Sequence, residues 1–134
     1  MTSSLVALCL FAGWTLLLVF CLALYRSVFS SQEGKALNTF APDGTDVGGL
    51  GQRLTRAHMN CVELLPVVGA VILAAAAAGQ SALTDPLAMP LLYARVAQST
   101  VHLLSTSVPM VLLRATLFVV QIGIVASWIF RLVL

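Results

Sequence analysis

Four ionisable residues, Glu63, Arg95, His102 and Arg114, stand inside stretches of sequence that are otherwise apolar. Charge placed in hydrocarbon is costly, so such residues mark function by default. Two arginines and one glutamate sum to a charge of +1 before the neighbouring Arg53 and Arg56 are added. A small anionic ligand would balance them. The plainer alternative is that Glu63 pairs with Arg95 or Arg114 to neutralise charge and fix helix register, while Arg53 and Arg56 reach to the membrane surface. His102 could be a general base, a hydrogen-bond donor or a packed side chain, and packing or donation suits it better than catalysis.

Other chemistries fall away. His58 and His102 are the only histidines, neither has a cysteine pair nearby, and no metal site is expected. No glycine-rich phosphate loop follows a strand and no Ser/His/Asp set is apparent, which removes the nucleotide-binding and hydrolase readings. The net charge of +2 is too little basicity for a nucleic-acid partner. Cys9, Cys21 and Cys61 lie in apolar stretches without a CxxC spacing and read as small hydrophobic side chains.

The elements that must position these residues are membrane spans. Of the 134 residues, 60% are hydrophobic and 9% charged, where a soluble domain carries about 25% charge. Four apolar blocks reach or approach the roughly 20 residues that cross a bilayer. The expected fold is an all-α integral membrane protein: a single domain over residues 1–134, forming a four-transmembrane-helix bundle with spans at about 4–25, 57–78, 86–106 and 109–133. No small-x-small site precedes Tyr25 and neither Cys9 nor Cys21 carries a lipoprotein signature, so the first block is read as a retained span. Residues 26–56, with Pro42-Asp43-Gly44-Thr45-Asp46 and Gly48-Gly49-Leu50-Gly51, read as a mobile polar loop.

That loop holds Arg26, Lys35, Arg53 and Arg56, while the link between spans two and three holds no basic residue. The positive-inside rule puts the loop in the cytoplasm and both termini outside. The short connections and the absence of a targeting segment suit a bacterial inner membrane. At 1.5 Å per residue, Glu63 and Arg114 lie about 9 and about 7 Å in from the cytoplasmic end, with Arg95 near mid-span and His102 roughly 10 Å nearer the cytoplasm. Arg53, Arg56, Asn60 and Glu63 share about 80° of one helix, and Arg95, Ser99, His102 and Thr106 share a face of another. Two such stripes facing each other would enclose a wet, positively biased cavity.

The run Arg53 to Pro66, RLTRAHMNCVELLP, resembles the MAPEG family, the membrane-associated proteins in eicosanoid and glutathione metabolism. Arg53, Arg56, Ala57, His58, Asn60, Glu63 and Pro66 fit its R-x-x-R-A-H-x-N-x-x-E run and the proline that follows. Ala94-Arg95-Val96-Ala97 is similar to the start of the family's A-R-x-x-H run, and the resemblance covers essentially the whole chain.

The resemblance implies a homotrimer of four-helix protomers that binds glutathione, as co-substrate, between protomers near the cytoplasmic side. Membrane lipids and a lipophilic small molecule would be its other partners. It makes Arg53, Arg56, Asn60, Glu63, Arg95 and His102 the expected binding residues, with Arg114 and Arg95 as catalytic residues that stabilise the thiolate. The implied activity is a glutathione-dependent transferase or peroxidase acting on lipophilic electrophiles or hydroperoxides. Departures from the family pattern keep an alternative open. Gln98 replaces the expected histidine, His102 stands where tyrosine is common, Ala115 follows Arg114 where some relatives have serine, and Pro109 to Arg114 is a long spacing. The alternative is a non-catalytic lipid-binding or scaffolding protein, or an accessory subunit of a membrane complex.

Overall fold

A computed structural model describes residues 1–134 as four α-helices without a strand: α1 (Ser3–Glu33), α2 (Leu50–Ala77), α3 (Asp85–Leu104) and α4 (Val108–Val133). Three of them, α1, α2 and α4, are long and apolar enough to cross a membrane. The shorter α3 is more polar because it carries Arg95, Gln98, Ser99 and His102, and it turns all four inward. The outer surface is correspondingly apolar, as at Leu16 and Phe20 on α1 and Val119 on α4.

Two helices run past the expected spans. Nothing in Ser27 to Glu33 breaks a helix, so α1 continues until Gly34 adopts the left-handed conformation at φ 69°. α2 begins directly after Gly49, seven residues before Ala57, because Gln52, Arg53 and Leu54 are good helix formers. The expected 26–56 loop is thereby corrected to a link over residues 34–49. At the other side of the site α3 stops at Leu104, where Ser105 is extended, so Thr106 lies beyond the stripe once ascribed to that helix.

The link carries its own fastenings. Lys35 pairs with Asp46 at 3.1 Å, the Ala41 N–H donates to the same carboxylate, and both the Arg26 and Lys35 cations lie over the Phe40 ring. Gly44 has φ +71°, and a Cβ there would meet Thr55 Oγ1 at 2.8 Å, so this crossing of link and α2 admits only glycine.

α3 occupies the middle, packing against α1, α2 and α4, whereas α4 leans chiefly on α3. Phe11, Ala57, Cys61, Ile72, Leu91 and Trp128 belong to the shared apolar core. At the end remote from the link, Ser4 donates both its N–H (2.8 Å) and its hydroxyl (2.6 Å) to Asp85, joining the start of α1 to the start of α3. Both helix N-termini thus share one carboxylate, the charge that their exposed N–H groups favour.

Candidate functional site

His102 on α3 joins three helices. Its Nδ1 lies 2.7 Å from Arg114 Nη1 on α4, and its Nε2 lies 3.0 Å from the side-chain amide of Asn60 on α2. A guanidinium can only donate, so Nδ1 accepts and the neutral ring carries its proton on Nε2. Nε2 then donates, and the Asn60 amide must turn its oxygen toward the ring. Both ring nitrogens are in use, which leaves His102 an orienting acceptor for Arg114 rather than a base.

Arg95 extends this chain one step inward. Its Nη1 donates to the Asn60 backbone carbonyl at 3.3 Å, and its guanidinium sits 5.7 Å over the Phe11 ring. Arg95 is fully buried, and its Nε and Nη2 atoms have no partner. The alternative pairing of Glu63 with Arg95 or Arg114 does not occur, since Lys35 with Asp46 is the one ion pair in the protein. Glu63 instead projects outward from α2, exposed on the surface of the protomer.

The other expected residues divide between the cavities and the scaffold. Arg56, Asn60, Glu63 and His102 border a cavity of about 190 Å³. Asn60 and His102 also border a neighbouring one of about 250 Å³, together with Gln98, Arg114 and Phe118. From Asn60, Glu63 and Phe118 an apolar groove of about 320 Å³ continues between α2 and α4, past Val67, Ile122 and Ile129. Arg53 lines none of these. Its Nε donates to the Leu103 carbonyl at 2.9 Å, satisfying one of the orphan acceptors at the end of α3. Arg95 also stands behind the cavity walls, not in them.

Three further residues join the site. Arg26 and His58 border a cavity of about 440 Å³ between α1, the link and α2, and Glu63 closes it. Arg26 had a detectable signal: it is the cation that ends the first apolar block, level with Arg53 and Arg56. Gln121 had little, being one neutral residue in an apolar run. It is fully buried and donates from Nε2 to Gln98 Oε1 at 2.9 Å and to the Leu117 carbonyl at 2.8 Å.

Arg26, Arg56 and Arg114 therefore outnumber Glu63, the one carboxylate lining these cavities, and none of them is paired with it. Residues 4–134 match the sequence pattern of the MAPEG family. The chain belongs to the MAPEG family. Comparison with curated proteins and with solved structures returned no match. MAPEG proteins are membrane proteins that include glutathione transferases and peroxidases as well as members with other roles, and the match spans nearly the whole chain. The MAPEG chain described here thus combines a membrane-type helical bundle with a cation-bearing polar centre that opens into an apolar groove.

Proposed function

We propose that this MAPEG protein is a glutathione-dependent transferase or peroxidase acting on lipophilic electrophiles or hydroperoxides. The observation that carries the reading is the continuity of two environments at Asn60. Arg56, His102 and Arg114 surround it on one side and the groove between α2 and α4 leaves it on the other. A tripeptide with two carboxylates, one amine and a thiol suits the polar side, and a membrane-dissolved partner suits the apolar side.

In this reading Arg53 and Arg56 hold the peptide carboxylates, Glu63 takes the amine and Asn60 a backbone amide. Arg114, aimed by His102, favours the thiolate over the thiol because a nearby cation stabilises the charged form. Arg95 acts through Asn60, whose carbonyl it holds. The thiolate then attacks an electrophilic carbon in transfer, or a peroxide oxygen in reduction.

The reading also includes four spans, with α3 crossing at the centre, a homotrimer, and the link over residues 34–49 on the cytoplasmic side of a bacterial inner membrane. Exposed Arg56 and Glu63 support the trimer, since a neighbouring protomer would shield them from lipid.

The deciding experiment is the ultraviolet difference spectrum of detergent-purified protein on adding glutathione. A saturable thiolate band at neutral pH that disappears in Arg114→Ala supports the reading. Absence of the band, with no rise in thermal stability on adding glutathione, overturns it. The groove favours one second reading, a lipid-binding or scaffolding protein without catalysis, which co-purified lipid in the absence of any glutathione effect would support.

A further inference from the structure

The buried amide pair between α3 and α4 has a direction. Gln121 is fully buried, and one of its terminal atoms lies 2.8 Å from the Leu117 carbonyl. A carbonyl oxygen cannot donate, so that atom is the amide nitrogen. The same nitrogen lies 2.9 Å from the nearer terminal atom of Gln98. Both donors of Gln121 are now spent on oxygens, which makes that nearer atom Oε1 and leaves the nitrogen of Gln98 as its free end. Gln98 is itself buried and borders the cavity that Arg114 and His102 share. A neutral N–H donor, fixed from behind, therefore stands beside two groups already turned to that space.

The geometry points to Gln98 as a specificity-determining donor, held by Gln121 as a positioning residue, that selects co-substrates carrying an acceptor oxygen. This rests on the function proposed above. With a hydroperoxide, the glutathione thiolate attacks the terminal oxygen and the O–O bond breaks. The alkoxide leaves and takes a proton from water. The resulting sulfenic acid condenses with a second glutathione, giving the disulfide and water. The Gln98 N–H donates to the oxygen on which charge develops as the O–O bond breaks, where a preorganised donor contributes most. With benzyl chloride the S–C bond forms and chloride leaves, and no oxygen is present for Gln98 to assist.

The test compares the two co-substrates in the assembled full-length protein. In Gln98→Leu, kcat/KM with cumene hydroperoxide should fall about 10- to 100-fold, mainly in kcat, while benzyl chloride turnover stays within about threefold. Gln98→His, which restores an N–H donor, should recover most of the loss. Gln121→Leu leaves Gln98 in place but unaimed, and should lower the same ratio by a smaller factor. A readout without turnover is binding of the alcohol product, cumyl alcohol, whose thermal stabilisation of the protein should disappear in Gln98→Leu. Equal losses on both co-substrates, or an unchanged ratio in both Gln98→Leu and Gln121→Leu, overturn the inference. If Gln98→Leu does not assemble, the ratio in Gln121→Leu decides alone. The thiolate band with glutathione separates the two levels: its presence with an unchanged ratio sinks only the role of Gln98, and its absence in the parent protein removes both.

Discussion

Arg114 Nη1 and His102 Nδ1 lie 2.7 Å apart, with the guanidinium as the donor. The acceptor role of His102 is one that a glutamine oxygen can take over and a leucine cannot. His102→Gln should therefore retain glutathione turnover within about threefold, whereas His102→Leu should lose about tenfold or more, the scale of one charge-assisted hydrogen bond. Steady-state kinetics of the pair check this, and equal loss in both variants would show that the ring does more than aim Arg114.

Glu63 has no ion-pair partner within the protomer and is exposed. Its removal breaks nothing in the isolated fold. Glu63→Gln should leave the thermal midpoint of the ligand-free protein within about 2 °C while weakening glutathione about 10- to 100-fold, the range of a hydrogen bond to a charged group. Calorimetric titration measures the affinity. A fall in the ligand-free midpoint without loss of affinity would make Glu63 a structural residue.

The Asp46 carboxyl is held below the ordinary carboxylate range, first by the Ala41 N–H and then by Lys35. A depressed carboxylate contributes its fastening above the unfolded value and loses it as the pH falls through the folded one. The link should thus stay fastened at neutral pH and loosen only below the usual range for aspartate. The Ala41 amide resonance should report that transition. At neutral pH, Asp46→Asn should speed trypsin cleavage after Lys35 severalfold, and an unchanged cleavage rate would count against the fastening.

Gly44 combines a left-handed backbone with a close approach to Thr55. Gly44→Ala should destabilise the link by about 1–2 kcal/mol from the backbone conformation alone, with the contact adding to it. Thermal unfolding together with cleavage after Lys35 would register the change. An alanine variant as resistant as the parent would mean that the link does not depend on this crossing.

How far the sequence exposes this architecture depends on which physical signal each part leaves. The apolar lengths of α1, α2 and α4 are plain in hydropathy because lipid demands them. Hydropathy falls silent where the apolar block ends, however, and the helix need not end there: Ser27 to Glu33 and Leu50 to Arg56 remain helical because backbone hydrogen bonding continues until Gly34 and Gly49 interrupt it. Helical spacing put Asn60 and His102 on facing stripes, and those two residues do touch. The isolation of Glu63 could not be read, because spacing along one helix carries no distance to the next. Gln121 escaped a census of charges, and the structural role of Arg53, whose Nε closes the end of α3, leaves no mark in helical spacing.

The inward polarity of α3 bears on how such a chain would reach its final place. On the four-span topology proposed above, α3 would arrive at the translocon with Arg95, Gln98, Ser99 and His102 on its buried face and too little apolar surface to partition into lipid alone. Its insertion would have to wait for company. α1 and α2 are synthesised first and already offer Phe11 and Asn60 to Arg95, while α4 follows within a few residues and brings Gln121 and Arg114. The polar contacts that shape the site would then also serve biogenesis, retaining α3 in the bilayer as a helical hairpin with α4.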